Sequence, residues 1–317
     1  MKIVYFGSGQ FGINCLDAIA PSRHSIELIV TQPPRGAGRG RKTRRTAVAS
    51  WAERQAVHTV ETDNVNAKSI VDQVRAAGPD IIVVIAFGQK VSSELIELPP
   101  NGAINVHSSL LPKYRGAAPV NWAIINGETE TGVSIITLAR RMDAGHILAQ
   151  EKTAIHPDET AGELHDRLAV ISAPLLIETL DHIEEGTATY RKQEDSRATL
   201  APKLKKSDGR IDFNDDAEKV RCRIRGLWPW PEASAKYCPS EHGKSIRVII
   251  ARADVVETAN PQKLAPGSVD EDLNVICARN ALHIRQIKPE GSRLMHFKAF
   301  VNGRNVRPGD VFRKLDD

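Results

Sequence analysis

The chain has 317 residues, of which 41% are hydrophobic and 26% charged, a composition that excludes a disordered protein and allows two domains. No apolar run reaches the length of a membrane-spanning helix, and the sequence opens directly into the run KIVYF, so we expect no signal or transit peptide. The formal net charge is +4, and the four cysteines fit neither a disulfide framework nor a zinc site, which predicts reduced thiols in a cytoplasmic protein.

The first half of the sequence alternates apolar β-branched runs with segments of helical composition, which indicates βαβ units. Four runs predict strands that are buried on both faces: residues 2–6, 26–31, 81–86 and 103–107. Three helical segments lie between them: residues 11–20, 46–56 and 64–77. Two further strands, 132–138 and 146–153, should pair across the turn MDAG, and a capping box at Thr160 and Glu163 predicts a long helix. This order predicts an α/β fold with a Rossmann-like open, mostly parallel sheet.

The pattern changes after Gly186. Residues 187–206 carry many charges and no sustained period, which predicts a basic linker. Beyond the linker, one helix is expected near 215–226. Seven short strand-like runs are separated by Gly, Pro and Asn: residues 210–213, 233–237, 245–256, 267–270, 274–279, 281–288 and 309–313. Such spacing predicts a small β-barrel. The predicted division is a domain at 1–186, the linker at 187–206 and a second domain at 207–317.

The first strand is followed by Gly7-Ser-Gly9-Gln-Phe-Gly12, a pattern that also occurs at dinucleotide sites. A dinucleotide site needs an acidic residue at the end of the second strand, where this sequence has Thr31 and Gln32. The glycines are equally explained by a tight turn from a strand into a helix. The sequence therefore argues against a dinucleotide-dependent oxidoreductase.

Residues 35–45, RGAGRGRKTRR, contain six basic residues and no acid. The segment follows the second predicted strand, at the sheet edge where open α/β folds place their ligands. An isolated charge run is usually a solvated loop, but this position favours a role in binding a polyanion.

Asn105 and His107 lie two residues apart at the end of a predicted strand, so their side chains share one face. An amide donor beside an imidazole can bind an oxyanion and move a proton. Asp143, in the turn between the next two strands, is a candidate partner because a nearby carboxylate favours the charged ring. An Asn-x-His pair alone is also compatible with a structural role, and the loop that follows it decides between the two.

That loop, at 108–119, reads SSLLPKYRGAAP. The sequence also contains AGRGRK, NGETETGVSI, MDAG, APKLKKSDGRID and RIRGLWPWPEA. On these motifs, their order and their spacing, the whole chain closely resembles the methionyl-tRNA formyltransferases, within the wider group of enzymes that use 10-formyltetrahydrofolate. One departure is the first turn, which commonly reads Gly-Thr-Pro-x-Phe-Ala in the family and reads Gly-Ser-Gly-Gln-Phe-Gly from Gly7 to Gly12 here.

The resemblance implies transfer of a formyl group from 10-formyltetrahydrofolate to the free α-amine of methionyl initiator tRNA. It implies that Asn105 donates to the oxyanion, that His107 shares this task and shuttles the proton, and that Asp143 orients His107. No metal is needed. The folate pocket would be lined by residues of two loops: Ser109, Leu110, Leu111 and Pro112, and more weakly Phe87 and Gly88.

The resemblance further implies an OB-like C-terminal barrel that binds the tRNA together with the basic linker. Nothing in the sequence suggests an oligomer interface, so we expect a monomer. The residues expected to bind the tRNA substrate are Phe11, Arg39, Arg41, Lys42, Lys205 and Lys206. Four more cations are candidates for phosphate contacts: Lys203, Arg221, Arg223 and Arg225.

A nucleotide-sugar amine N-formyltransferase is the nearest alternative, because it would share the folate loop, the Asn-His-Asp set and a similar barrel. We expect it to lack the arginine-rich segment 35–45. A formyltetrahydrofolate dehydrogenase is expected to continue into a second large catalytic domain beyond residue 317. A non-catalytic RNA-binding module would explain the basic segments but would leave Asn105, His107 and Asp143 without a reason to coexist.

Overall fold

The computed structural model describes residues 1–37, 42–241, 243–258 and 263–316. The chain divides into two compact units. Unit 1 comprises Met1–Pro119, Thr131–Ala154 and His165–Ala201. Unit 2 comprises Val120–Glu130, Ile155–Leu164 and Pro202–Asp317. The last boundary falls inside the segment 187–206, whereas two short segments of the first half belong to unit 2, although the sequence predicts one continuous domain over 1–186.

A seven-stranded sheet forms the centre of unit 1. The strands up to residue 201 are β1 (Lys2–Gly7), β2 (Ser25–Thr31), β3 (Arg35–Ala37), β4 (Lys42–Arg44), β5 (Thr59–Glu61), β6 (Ile81–Ile85), β7 (Ala103–His107), β8 (Arg115–Gly116), β9 (Glu130–Thr137), β10 (Ile147–Ala154) and β11 (Leu200–Ala201). The strand order in the large sheet is β10-β9-β7-β6-β1-β2-β5. Four of its pairs are parallel and β7–β9 is antiparallel. The prediction of an open, mostly parallel Rossmann-like sheet is confirmed.

Helices connect these strands. In chain order they are α1 (Ile13–Ile19), α2 (Ala47–Arg54), α3 (Lys68–Ala76), α4 (Ser93–Glu97), α5 (Pro119–Ile125), α6 (Ala161–Glu184), α7 (Ala217–Gly226) and α8 (Phe297–Arg304). Side chains cap several N-termini: the Thr46 hydroxyl accepts from the Ala49 amide at 3.0 Å, and Thr160 and Glu163 form the predicted capping box. None of the helices in the described part of the chain is long and apolar enough to cross a lipid bilayer.

The core of unit 1 explains why β1, β2 and β6 read as continuous apolar runs. All five residues of β6 are buried, as are the last five of β1 and the last four of β2. One cluster contains Val4, Phe6, Leu28, Val30 and Val84. Burying such a side chain stabilises the fold by about 1.5–3 kcal/mol. Because β1, β2, β5, β6 and β7 run parallel, the loops that follow them all emerge at one edge of the sheet.

Unit 2 contains an antiparallel sheet that almost closes on itself. Its strands are β12 (Ala233–Cys238), β13 (Ile246–Val256), β14 (Val275–Ile276), β15 (Ala281–Pro289), β16 (Met295–His296) and β17 (Val311–Arg313). The order is β14-β15-β13-β12-β17, with β16 also beside β15. Ser268 bridges Val311 in β17, and Val269 bridges Val275 in β14, so the two sheet edges approach each other through residues 268 and 269. The predicted small OB-like barrel is confirmed.

Two local predictions are wrong. Residues 210–213 form no strand: Arg210 makes a single bridge to Ser234, and the Asp212 carboxylate turns back to accept from the Asn214 amide at 3.1 Å. Residues 267–270 likewise make only the single bridges at 268 and 269. In the basic segment 35–45, β3 and β4 pair as an antiparallel ladder at its two ends.

Candidate active site

Asn105 and His107 lie at the carboxyl end of β7, at the sheet edge where the loops that follow the parallel strands of unit 1 begin. β7 continues the parallel sheet on one side through β6 and meets β9 antiparallel on the other, with Asn105 opposite Ile136 and His107 opposite Ser134. Asn105 is half-buried, and its side-chain amide makes no hydrogen bond to any residue that the structure describes. A half-buried amide with spare donors at this edge can bind an oxygen of a ligand.

His107 is only 6% exposed and is fixed by the backbone of the loop that follows it. Its Nε2 lies 2.9 Å from the carbonyl oxygen of Tyr114. A carbonyl oxygen only accepts, so Nε2 carries a proton and donates it to Tyr114. The remaining nitrogen, Nδ1, is therefore the one that can gain or lose a second proton. Tyr114 itself has φ 63°, a left-handed backbone that aims its carbonyl at the ring.

Asp143 lies on the Nδ1 side of His107. Its Oδ2 is 3.7 Å from Nδ1, and the same oxygen accepts from the Gly116 amide at 2.8 Å. At 3.7 Å the two side chains are close enough for strong electrostatic interaction but too far apart for a direct hydrogen bond. The structure thus brings together the three residues that the sequence singles out.

The turn that carries Asp143 has little freedom to move. Asp143 has φ 52°, a conformation that costs energy for a residue with a side chain. Two residues later, a Cβ on Gly145 would lie 1.7 Å from the carbonyl oxygen of Thr137. Only glycine fits there, because the turn packs closely against β9. This packing explains the glycine of MDAG.

The loop after His107 is anchored by hydrogen bonds to a buried serine, Ser134, which the sequence does not single out. The Ser134 hydroxyl, on β9, donates to the carbonyl oxygen of Ser109 at 2.6 Å and accepts from the Leu111 amide at 3.0 Å. The fully buried Ser109 hydroxyl donates to the Lys113 carbonyl at 2.7 Å. The side chain of Ser109 therefore bonds within the protein and is not available to a ligand. For Ser134, the one signal in the sequence is a polar residue within an apolar run of its strand.

The rest of the SLLP segment is equally well anchored. Leu111 is buried beside Ile136 and Ile147, and its carbonyl accepts from Gln150 Nε2 at 3.0 Å. The Leu111–Pro112 peptide bond is cis. Leu110 is half-buried, and a Cβ on Gly132 would lie 2.6 Å from its Cδ2. The segment therefore offers a ligand a rigid backbone and the Leu110 side chain rather than the hydroxyl of Ser109.

Phe87 and Gly88 follow β6 at the same sheet edge. The buried Phe87 ring packs against Phe6, with ring centroids 5.4 Å apart, and its carbonyl accepts from Gln32 Nε2 at 2.6 Å. Gly88 is exposed with φ 76°, where a Cβ would lie 2.8 Å from that Nε2. This loop is shaped by its contact with Gln32, and it presents Gly88 rather than Phe87 to solvent.

The glycines of the first turn accommodate a buried tyrosine. A Cβ on Gly12 would lie 1.9 Å from the Tyr5 hydroxyl, and one on Gly7 would lie 2.5 Å from the Tyr5 ring. Their role in packing accounts for the Gly-x-Gly-x-x-Gly pattern without a dinucleotide. Phe11 in this turn is buried edge-on against His165, with ring centroids 5.3 Å apart. Little of the Phe11 ring is thus accessible to a substrate in this conformation.

The basic segment 35–45 has described residues only at its two ends. Arg35 and Arg44 are exposed and pair directly across β3 and β4, so two like charges oppose each other. Arg45 is different, because Glu53 and Glu61 hold its guanidinium at 2.9 and 3.1 Å. Of the residues of this segment that are predicted to bind substrate, Arg39 and Arg41 lie outside the described residues, and Lys42 pairs with Ala37 through the backbone.

The predicted phosphate-binding cations of unit 2 fall into two groups. Lys203, Lys205 and Lys206 are exposed. The arginines are committed to contacts inside the unit: Arg221 to Glu218 at 2.9 Å, Arg223 to the Asp208 carbonyl at 2.6 Å, and buried Arg225 to the Glu159 carbonyl at 3.1 Å. The expectation that Arg225 is available to a phosphate is wrong, because α7 places it in the interior.

One group of potential metal ligands occurs among the described residues. His24, Asp181 and Glu184 offer ligand atoms within 4.8 Å of one another. The chain's own cations already contact them: the Met1 amine lies 2.8 Å from Glu184, and Arg23 lies 2.6 Å from Asp181. His24 precedes β2, so this group lies at the sheet edge opposite to His107 and has no part in the site at β7.

Comparison with known proteins gives matches over both units. Residues 1–180 match Formyl transferase, and residues 203–305 match Formyl transferase, C-terminal domain. The methionyl-tRNA formyltransferase of Geotalea uraniireducens (strain Rf4) is 37% identical over 320 residues, covering 100% of this chain and 99% of the relative. That of Caldanaerobacter subterraneus subsp. tengcongensis is 38% identical, covering 99% of this chain and 100% of the relative.

A solved structure shares the fold at lower identity. WlaRD, a sugar 3N-formyl transferase determined in the presence of dTdp and 5-N-Formyl-THF, has a TM-score of 0.64 and 16% identity, covering 92% of this chain and 99% of WlaRD. Such a likeness reports fold alone, whereas the matches at 37–38% identity extend along whole chains. The chain therefore belongs to the formyl transferase family, and within it to the methionyl-tRNA formyltransferases.

Proposed function

We propose that this enzyme transfers the formyl group of 10-formyltetrahydrofolate to the free α-amine of methionyl initiator tRNA, giving the N-formylmethionyl-tRNA that begins translation. The observation that carries this is the grouping of Asn105, His107 and Asp143 at the end of β7, in a chain that resembles methionyl-tRNA formyltransferases over its full length. The neutral amine of an aminoacyl ester is already a nucleophile. The protein therefore has to orient the reactants, stabilise an oxyanion and move one proton.

The proposed roles follow from the contacts of each side chain. Asn105 donates its unused amide hydrogens to the oxygen of the formyl group as negative charge develops there. His107 exchanges a proton at Nδ1, because Nε2 is held by the Tyr114 carbonyl at 2.9 Å. Asp143, with Oδ2 3.7 Å from Nδ1, stabilises the imidazolium that forms and keeps the ring in place.

The donor supplies an activated one-carbon group when bound, and we place it beside the SLLP segment. The rigid backbone of Ser109–Pro112, clamped by Ser134, suits recognition of a heterocycle through main-chain hydrogen bonds. Leu110 offers an apolar surface next to it. Gly88, on the loop after β6, is exposed at the same sheet edge and has no side chain that would block a ligand.

Binding of the tRNA is assigned to the basic segment 35–45 and to three exposed lysines of the basic linker, Lys203, Lys205 and Lys206. The facing pair Arg35 and Arg44 repel each other, so an anion between them removes an unfavourable interaction. Arg39, Arg41 and Lys42 of the same segment add three further positive charges. We further propose the domain division 1–186, 187–206 and 207–317, and a monomer that acts in the cytoplasm.

The experiment that tests this proposal compares two acceptors. Labelled formyl groups are supplied on 10-formyltetrahydrofolate to methionyl initiator tRNA and, in parallel, to a nucleotide-linked amino sugar. We expect acid-precipitable label on the tRNA at a kcat/KM that exceeds the value for the sugar by about 10³-fold or more, because a sugar lacks the phosphate contacts of a tRNA. Faster formylation of the sugar would overturn the proposal in favour of the nucleotide-sugar alternative.

A further inference from the structure

Gln193 is buried, with 6% exposure, in a charged stretch of sequence that has no helical or strand period. Every hydrogen-bonding atom of its side chain is engaged. Nε2 donates to the carbonyl oxygens of Asp143 and Gly145, both at 2.8 Å. Oε1 accepts from Arg115 Nε at 3.1 Å and Nη2 at 2.7 Å. A buried amide whose oxygen and nitrogen both form hydrogen bonds restricts the motion of the groups to which it bonds.

Arg115, on the other side of Gln193, sits between two residues that touch the candidate catalytic pair. The preceding residue, Tyr114, accepts from His107, and the following residue, Gly116, donates to Asp143. Arg115 is 5% exposed and also contacts Asp195 at 2.8 Å. Gln193 thus joins the backbone that holds His107 to the backbone of the turn that carries Asp143.

The same stretch of chain supports this backbone at a second place. The Tyr114 amide donates to the Thr199 hydroxyl at 2.8 Å, and the Ala117 amide donates to the Ala201 carbonyl at 2.8 Å. β8 and β11 pair parallel between these contacts. Residues that resemble a linker in the sequence therefore form a strap on which the 114–117 backbone rests.

The left-handed backbone of Asp143 is the reason that an anchor is needed. At φ 52° a residue with a side chain costs energy, so contacts from its surroundings help to hold Asp143 there. The two bonds from Gln193 Nε2 fall on the carbonyls of Asp143 and Gly145, on either side of that strained turn. Loss of these bonds would let the carboxylate move away from His107 without disturbing the core.

We propose that Gln193 is a positioning residue for formyl transfer: it holds the Asp143 carboxylate at its distance from His107 and ties that turn, through Arg115, to the loop that holds the imidazole. The inference rests on the proposed function, because it assumes that Asp143 acts on His107. Loss of the Gln193 side chain should lower kcat and leave substrate affinity unchanged, since Gln193 is buried and contacts Asp143 and Arg115 rather than a substrate.

Gln193→Glu is the sharpest perturbation. Its carboxylate has the same size and still accepts from Arg115, but it cannot donate to the two carbonyls. We expect kcat to fall about 10–100-fold, since displacement of a catalytic group by 1 Å can cost about 100-fold, while both KM values change less than about threefold. Gln193→Met, which also lacks the donors but adds no charge, serves where Gln193→Glu does not fold. Asp195→Asn is the matched control, because it alters the exposed partner of the same Arg115.

A double variant separates positioning from a general structural effect. With Asp143 already changed to Asn, the further Gln193→Glu change should lower kcat less than about threefold, because this change keeps the contact with Arg115 and acts on His107 only through the Asp143 carboxylate, which is already gone. The inference is overturned if folded Gln193 variants keep wild-type kcat, if Asp195→Asn loses as much, or if the losses multiply in the double variant. A wild-type rate for Asp143→Asn alone would instead refute the role of Asp143 in the proposed function.

Discussion

Removal of the Asp310 side chain should destabilise the C-terminal barrel. Asp310 is 3% exposed and accepts four hydrogen bonds: from the Tyr237 hydroxyl at 2.6 Å, the Ser240 amide at 2.7 Å, the Ser240 hydroxyl at 2.9 Å and the Arg307 amide at 3.0 Å. Burial opposes ionisation, but these bonds outweigh it and hold the pKa of the carboxyl below its ordinary value. Asp310 is therefore an ionised hub that ties β12 to the turn before β17.

The size of the effect follows from these contacts. A hydrogen bond to a charged group contributes about 1.5–3 kcal/mol net, and bonds that share one carboxylate are not additive. We expect Asp310→Ala to lower the free energy of unfolding of this unit by about 3–5 kcal/mol, because it leaves the buried Tyr237 hydroxyl and two backbone amides without an acceptor. Tyr237→Phe, which removes one of the four bonds, should cost about 1–2 kcal/mol.

Acid should have the same effect as the substitution. A carboxyl with a lowered pKa in the folded state contributes stability that is complete above its unfolded value, about 3.9, and is lost as the pH falls through the folded value. The free energy of unfolding of the barrel should therefore decrease below about pH 4. In Asp310→Ala this decrease should be smaller than in the wild type, because the carboxyl that titrates is absent.

Hydrogen exchange of peptides from β12 and β17 in increasing urea measures the stability of this unit separately from the catalytic unit. Tyr237→Phe is the graded control, since it keeps the ring in the core. If Asp310→Ala unfolds within about 1 kcal/mol of wild type, the hydrogen bonds around Asp310 do not stabilise the barrel and the reasoning is refuted.

Two further predictions concern the catalytic unit. Asp143→Ala and His107→Ala should be strongly non-additive in turnover, because a carboxylate that acts through an imidazole contributes nothing once the ring is gone; full multiplication of the two losses would show that they are independent. Arg39→Ala should weaken the use of methionyl-tRNA and reduce the protection of the segment 35–45 from trypsin by tRNA, with little change in the folate KM. Arg45→Ala is its control, since Glu53 and Glu61 already hold that cation; a change confined to the folate KM would assign the segment to the donor site.

The sequence predicts the catalytic unit well where the signal is local. Apolar runs of four to six residues mark β1, β2, β6 and β7, and the i, i+2 rule puts Asn105 and His107 on one face. The position of Asp143 does not follow from strand order alone, because β9 runs antiparallel to β7 and ends at Thr137, opposite Ile104 at the start of β7. The structure gives 3.7 Å between the two side chains, while the role of each residue stays a prediction.

The strap at 191–201 could not be predicted in the same way. Gln193 contacts Arg115, 78 positions away, and Thr199 contacts Tyr114, 85 positions away. Such contacts leave no period in the sequence, and many charges make the stretch look solvated. Composition describes the average side chain of a segment, whereas this strap depends on one buried amide and on backbone hydrogen bonds.

Errors in the second unit have a similar origin. Residues 210–213 have the composition of a strand. The Asp212 carboxylate, however, accepts from the backbone amide of Asn214 and from Lys314, the latter at 3.0 Å, and the chain turns there. Arg225 has the charge of a phosphate ligand, yet α7 directs it into the interior, where its Nη1 donates to the carbonyl oxygens of His156 and Glu159. In both cases a polar side chain found a partner inside the protein, and tertiary contacts overrode composition.

The central claim is that His107 moves the proton during formyl transfer to methionyl initiator tRNA. It is tested most directly by the turnover of His107→Ala with labelled 10-formyltetrahydrofolate and saturating charged tRNA, on protein whose circular dichroism and unfolding match the wild type. General acid–base catalysis contributes about 10²–10⁴-fold, so kcat should fall by that factor. A folded His107→Ala enzyme that formylates methionyl-tRNA at nearly the wild-type rate would contradict the account.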